Sequence, residues 1–390
     1  MTIGIDCRLW NETGVGRYIR NLVENLVVFD QRNVYILFCL HKDQENLKSR
    51  ISHPKGTSFG EAANLKRNKE NFKIVIADIR WHSIEEQLLL PEILKKENLD
   101  LMHFPYFSVP ILYNKPFVVT IHDLIIDHYP TGEATTLPPL VYQAKRLGYR
   151  YIIQTAAKKA RKVITVSHAT EEEIIDHLHI PKEKIVVTYE GIDSKMTNSQ
   201  FPITKYQIPD TRYFLHVGNV YPHKNSNRLI DAFALLLKTH PDIQLIFVGK
   251  DDYFFQKLKK KVNTLGLEKS IIFTGLISDE ELAAYCHHAE AVIIPSLMEG
   301  FGLPAVEAIA QNCLVLASAI PSLKEICEDG ALYFDPMKES DIAKCMEKAL
   351  QLPIAKKKEI IANGRKKIAD YSWEKMAKET ISIYESSIGV

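Results

Sequence analysis

Pro295-Ser296-Leu297-Met298-Glu299-Gly300-Phe301-Gly302-Leu303-Pro304-Ala305-Val306-Glu307 is the stretch that decides how this chain folds. The apolar run before it, Ala291 to Ile294, reads as a buried parallel strand, and Ala305 to Gln311 has helical composition. Gly300 and Gly302 let the backbone approach a ligand closely. Pro304 suits the first helical position, where its missing N–H would have no partner anyway. Strand, glycine-rich loop and helix N-terminus in that order make a site for an anion. Glu299 in the loop and Glu307, expected in the first turn of the helix, frame the site with seven residues between them.

Outward from this stretch, strands and helices alternate. In the first half, Ile3–Asp6, Val34–Leu40, Ile74–Ala77, Leu101–Phe104, Phe117–Ile121, Val163–Val166 and Ile185–Thr188 read as strands. Helices are expected at Tyr18–Val28 and Leu88–Glu97, and the polar residues His41 to Lys73 as a long loop with at most a short helix. In the second half the strands are Tyr213–Val217, Gln244–Val248, Ile271–Thr274, Leu314–Ala317 and Ala331–Phe334, with helices at Arg228–Thr239, Phe254–Leu265 and Asp279–His287. This interleaving predicts an α/β chain with parallel doubly wound sheets. A chain of 390 residues suggests two domains. Ser194 to Asp210, rich in Pro, Ser, Thr and Asn, is expected to link them. The layout implies two Rossmann-like domains facing a cleft.

Composition narrows the class. A net charge of +1 gives no global attraction to nucleic acid. Six dispersed cysteines without a Cys-x-x-Cys pair read as buried thiols of a reducing compartment. The N-terminus enters a strand directly, without the apolar core of a signal peptide, and no apolar run approaches spanning length. A cytoplasmic protein is expected. His287-His288 and His177-x-His179 lack further ligands at metal spacing, so no metal and no cofactor is expected.

Ligands in doubly wound sheets sit at the carboxyl ends of strands, and the loops there are informative. Gly218-Asn219-Val220-Tyr221-Pro222-His223-Lys224-Asn225 follows the first strand of the second half, and Thr120-Ile121-His122-Asp123 ends a strand of the first. Gly14 and Gly16 lie in the first loop of the chain. Together with the Glu299 to Glu307 loop, Val163 to Ser167 and Val187 to Asp193, these stretches resemble the landmarks of the retaining glycosyltransferases of GT-B fold and family 4 (glycosyl transferases group 1). The match runs from about Ile3 to Trp373, and it looks most like GDP-mannose-dependent mannosyltransferases of polysaccharide assembly.

The resemblance implies roles. Glu299 would bind hydroxyls of the donor sugar and Glu307 the ribose. Lys224 and backbone N–H groups of the Gly300-Phe301-Gly302-Leu303 loop would stabilise the departing diphosphate. Gly14, Gly16, Asp123, Asn219 and Ile277 fall at further donor-side positions. His122 would face the transferred sugar, oriented by Asp123 or bonding a hydroxyl itself. The family places a cation a few residues before the lysine; here Asn219 stands there, with His223 nearby as a partial substitute. The implied domains are residues 1–198, acceptor-side, joined by a returning helix at 373–390, and residues 199–372, donor-binding. The implied partners are a nucleotide-diphosphate sugar and a saccharide or lipid-linked acceptor. A UDP-sugar enzyme of the same fold, or a non-catalytic nucleotide-sugar-binding scaffold, are the alternatives.

Between Ala134 and Thr170 there is no acidic residue, but there are Lys145, Arg146, Arg150, Lys158, Lys159, Arg161 and Lys162. Leu140, Ala144, Leu147 and Tyr151 recur there at helical spacing, so 137–162 reads as a basic amphipathic helix or helix pair. Such a face would attract an anionic membrane and hold the enzyme on its inner surface. Packing of the apolar stripe on its own sheet is the alternative.

Overall fold

The computed structural model of the chain describes residues 1–54, 70–128, 138–192 and 208–389. Most of the linker expected at Ser194 to Asp210, with Asp193, part of the polar stretch His41 to Lys73, and the Leu140 side chain lie outside the described residues.

Two compact units form the chain. The first contains β1 (Thr2–Asp6), α1 (Val15–Phe29), β2 (Val34–Cys39), α2 (Gln44–Ser52), β3 (Phe72–Ile76), α3 (Ile84–Lys95), β4 (Leu101–Phe104), β5 (Phe117–Ile121), α4 (Ile125–His128), α5 (Pro139–Lys159), β6 (Val163–Thr165), α6 (His168–Leu178) and β7 (Ile185–Val187). The second contains β8 (Tyr213–Val217), α7 (Ser226–Leu236), β9 (Gln244–Val248), α8 (Tyr253–Thr264), β10 (Ile271–Gly275), α9 (Asp279–His288), β11 (Ala291–Ile294), α10 (Leu303–Ala310), β12 (Val315–Ser318), α11 (Pro321–Cys327), β13 (Ala331–Phe334), α12 (Glu339–Gln351) and α13 (Ile354–Ile368). A last helix, α14 (Trp373–Ile388), belongs to the first unit. It packs on α1, β4 and β5, burying Trp373, Met376, Ala377, Ile381, Ile383 and Tyr384.

Both sheets are parallel and doubly wound. Their strand orders are β3-β2-β1-β4-β5-β6-β7 and β10-β9-β8-β11-β12-β13. Strands β4, β5 and β11 are buried along their whole length, as continuous apolar runs covered by helices on both faces must be. In each sheet the winding reverses between the first strand and the fourth, at β1 and β4 and again at β8 and β11. Loops leave such a pair in opposite directions and open a crevice at the carboxyl ends.

Helix starts follow caps more than apolar runs. Ser83 accepts a hydrogen bond from the Glu86 N–H, so α3 begins at Ile84, four residues before the first leucine of its apolar run. Helix α10 has no side-chain cap; it follows Gly302 and begins at Leu303, with Pro304 second and Glu307 in the second turn. Glu307 therefore lies beyond the first turn, where the helix dipole acts most strongly. The short helix α2 occupies part of the expected polar loop, anchored by buried Leu47 and Ile51.

Candidate functional site

In the second unit the crevice between β8 and β11 is lined by the two loops that the sequence singles out. Residues 218–225 leave β8 and residues 295–302 leave β11. Hydrogen bonds stitch them together. The Leu297 N–H donates to the His223 carbonyl at 2.7 Å, and Asn225 Nδ2 donates to the Pro295 carbonyl at 3.0 Å. Below them His216 Nδ1 donates to the Ile293 carbonyl at 3.1 Å, leaving Nε2 to accept from Ser226 Oγ at 3.3 Å. Burial and nearby Lys224 push His216 down to about 4, against the Ile293 hydrogen bond, so it is a neutral strut.

This frame brings Lys224 against Glu299. Lys224 Nζ lies 2.6 Å from Glu299 Oε1, and the side chains are 19% and 9% exposed. Ser296 Oγ donates to the same carboxylate oxygen at 2.6 Å. Burial pushes the Glu299 carboxyl up, but Lys224 and Ser296 together outweigh it and hold the group below the usual carboxylate range. The pair is thus an ion pair poised at the crevice, and an incoming polyanion must compete with Glu299 for the lysine.

His223 does not supply a second cation. Its side chain is buried, and burial and Lys224 push its pKa down to about 4. Asn219 presents a buried Oδ1 with no hydrogen-bond partner among the described residues. Arg228, the nearest guanidinium on α7, is taken by Glu339 at 2.8 Å and by Asn225 Oδ1 at 3.0 Å.

The loop turns into α10 at Gly302, whose φ of 95° is the left-handed conformation that glycine adopts without strain. A Cβ there would also meet Leu323 Cδ2 at 2.6 Å. Gly300 and Phe301 are buried and Leu303 is half-buried. Glu307 lines a small pocket with Pro304 of α10, Gln311 just past that helix, Leu282 and Cys286 of α9, and Val217 at the end of β8. Ile277 is half-buried in the loop joining β10 to α9.

In the first unit, Gly14 caps α1 with a φ of 59°, and a Cβ on Gly16 would clash with the Leu9 and Trp10 carbonyls at 2.6 and 2.7 Å. His122 follows β5. Its Nε2 donates to the Pro105 carbonyl at 3.0 Å, and its Nδ1 faces Glu190 Oε1 at 3.4 Å. Tyr18 stands edge-on to the ring, with centroids 4.9 Å apart. Asp123 is not the partner of His122: its Oδ1 accepts from the Ile125 N–H at 3.0 Å and opens α4. Glu190, Ser296 and Asn225 are site residues that the sequence reading did not single out by role. Glu190 stands three residues past the end of β7, where the carboxyl-end rule points.

Among the described residues no group of three His, Cys, Asp or Glu side chains is arranged to hold a metal ion. No described helix is long and apolar enough to cross a membrane. All six cysteines are buried and unpaired.

Residues 13–195 match the family described as Glycosyltransferase Family 4, and residues 200–367 match Glycosyl transferases group 1. The chain is 28% identical to O-antigen chain mannosyltransferase B of Escherichia coli, with 96% of each chain covered. It is 29% identical to O-antigen chain mannosyltransferase RfbU of Salmonella typhimurium, over 76% of each. Among solved structures, sucrose-phosphate synthase from Thermosynechococcus elongatus superposes with a TM-score of 0.76 at 20% identity, covering 99% of this chain and 98% of that one.

Proposed function

The chain is a glycosyltransferase of family 4 with the GT-B fold, and on that premise we propose that it transfers mannose from GDP-mannose, with retention of configuration, to a saccharide or lipid-linked saccharide. The observation that carries this reading is the Lys224–Glu299 pair at the crevice of the second sheet, in the same unit as the Glu307 pocket. The choice of mannose rests on the two relatives named for mannosyl transfer.

In this reading the ribose hydroxyls bind Glu307 and the diphosphate draws Lys224 away from Glu299. The freed carboxylate then takes hydroxyls of the sugar. The bond from the anomeric carbon to the phosphate oxygen breaks, and Lys224 stabilises the charge that grows on the diphosphate. The acceptor hydroxyl attacks the face the diphosphate leaves, and its proton passes to a diphosphate oxygen. No residue of the chain need act as nucleophile.

The acceptor side is read from the first unit. An aromatic cluster stands past the ends of β3 and β4: His82 stacks on Tyr106 with centroids 5.6 Å apart, and Trp81 meets His82 edge-on at 4.8 Å. His82 holds a left-handed φ of 57°. Its N–H is fixed by Glu86 Oε2 at 3.0 Å, and Glu86 is in turn buried against Arg8 at 2.6 Å. Rigid ring faces of this kind suit the apolar faces of sugars.

Helix α5 favours a lipid-linked acceptor over a free one. Its Tyr149, Ile153, Ala156 and Ala157 pack inward, while Leu147 and Tyr151 are 69% and 62% exposed. The apolar stripe therefore is not spent on the sheet; Lys158 follows on the same face, two turns past Tyr151, and Arg150, paired with Asp127 at 3.2 Å, flanks it. An apolar stripe within a basic face is what an anionic bilayer surface binds.

Incubation of the purified chain with GDP-mannose, UDP-glucose and ADP-glucose tests the proposal. Release of GDP from GDP-mannose in preference to the other two supports it. Nucleotide binding without turnover of any donor would point instead to a binding scaffold.

A further inference from the structure

Helix α14 carries polar side chains into the centre of the first unit. Tyr384 Oη lies 2.6 Å from His103 Nδ1, and His103 Nε2 lies 2.8 Å from Thr120 Oγ1. Thr120 Oγ1 is 3.5 Å from Tyr18 Oη. Thr380, one turn before Tyr384, is buried on the same helix and donates to the Met376 carbonyl at 2.8 Å. Tyr384, His103, Thr120, Tyr18 and Thr380 are all completely buried. The chain of hydrogen bonds ends at the ring that stands edge-on to His122.

A second connection runs from the start of the same helix. Gly191 lies so close to it that a Cβ would sit 2.1 Å from the Trp373 nitrogen. Its neighbour Glu190 is the carboxylate that faces His122 Nδ1. Helix α14 therefore bears on two of the three groups around the His122 ring, Tyr18 at its face and the segment of Glu190 at Nδ1, while the Pro105 carbonyl holds Nε2.

Apolar residues would fill this core with less risk, because a buried polar chain destabilises unless every member is satisfied. What such a chain provides is a single arrangement. Burial pushes His103 down to about 3, so its ring is neutral, with one nitrogen donating and the other accepting. The hydrogen bonds from Tyr384 to Thr120 thus run in one sense.

We infer that α14 is the positioning element of His122, acting through Tyr384, His103, Thr120 and Tyr18 at one end and through Gly191 and Glu190 at the other. The consequence for transfer rests on the reading that His122 serves the transferred sugar; the positioning itself does not.

Tyr384→Phe removes one hydroxyl from the chain and leaves a His103 nitrogen unpaired. Ile381→Val removes one buried methyl group from the same helix and serves as the control for packing. In protein labelled with nitrogen-15 histidine, the His122 ring resonances, assigned by their loss in His122→Gln, are expected to shift in Tyr384→Phe and to stay in place in Ile381→Val. Turnover of GDP-mannose is expected to fall about tenfold in Tyr384→Phe at unchanged KM, since small misplacements of a positioned group act on kcat. Unmoved His122 resonances in Tyr384→Phe, or equal shifts in the two variants, would overturn the inference. If the wild-type protein does not use GDP-mannose, the donor assignment fails while the resonances still decide the positioning.

Discussion

Lys224→Met removes the cation of the central pair and keeps most of its stem. At an effective dielectric of about 20, unit charges 2.6 Å apart attract by about 6 kcal/mol. Much of that attraction offsets the desolvation of a carboxylate whose side chain is only 9% exposed. After the substitution Glu299 keeps the Ser296 hydrogen bond and its burial, but no opposing charge within the pair. The expected loss is about 3 kcal/mol in the second unit at neutral pH, the cost of breaking a buried pair from one side. The double variant Lys224→Met with Glu299→Gln should recover most of it. The pH dependence also reverses. In the wild type Glu299 is held below its ordinary value, so the pair stabilises above the unfolded pKa and its contribution is lost as pH falls through the depressed value. In Lys224→Met burial raises the carboxyl instead, and protonation relieves the unpaired charge. The difference in stability between the two proteins should therefore shrink on acidification. Trp10, Trp81 and Trp373 all lie in the first unit, so calorimetry or far-ultraviolet circular dichroism, rather than tryptophan emission, should follow the second unit's transition. A loss below about 1 kcal/mol, or a double variant no more stable than Lys224→Met, would refute the reasoning.

Three further outcomes follow from the same geometry. Glu299→Gln frees Lys224 for the diphosphate, so GDP should bind about fivefold tighter, roughly 1 kcal/mol, by titration calorimetry, while transfer collapses; equal or weaker GDP binding would contradict the competition. His216 and His223 are held near 4 and His103 near 3 by burial, so the unfolded chain takes up their protons first as pH falls below 6.5. Between pH 7 and 5 the second unit should lose about 4 kcal/mol and the first about 2 kcal/mol from these groups, read as a fall in two calorimetric transitions. Co-sedimentation with anionic liposomes should be strong at low salt and weak with neutral lipid, and Leu147→Glu with Tyr151→Glu should abolish it; binding indifferent to lipid charge and salt would sink the membrane reading.

The parallel doubly wound sheets were legible because the buried strands are short, continuous apolar runs separated by helices, as at Ala291–Ile294 and Phe117–Ile121. Boundaries were less so. At α3 the cap at Ser83 overrides the start of the leucine run, and at α10 the helix begins early enough to put Glu307 in its second turn. The functional loops could be found from their glycines and from their place after strands. Their mutual contacts could not. Lys224 and Glu299 are 75 residues apart, and only the adjacency of β8 and β11 makes them a pair. The sequence reading gave Lys224 to the phosphate and Glu299 to the sugar as separate tasks, and offered His223 as a second cation, which its burial excludes. The sequence left open whether Asp123 orients His122, and the carboxylate that faces the ring is Glu190. A residue at a strand end and its successor point in different directions, and Glu190 arrives from another strand altogether.

The central claim is that the loop framed by Glu299 and Glu307 holds the nucleotide of the donor. Thermal unfolding of the wild type and of Glu307→Ala, each with GDP, UDP or ADP, tests it most directly. A ligand at about a hundred times its Kd stabilises the folded state by about 2.7 kcal/mol. GDP should raise the second unit's transition in the wild type more than UDP or ADP does, and Glu307→Ala should lose most of that rise. No shift with any nucleotide, or a GDP shift undiminished in Glu307→Ala, would contradict the account.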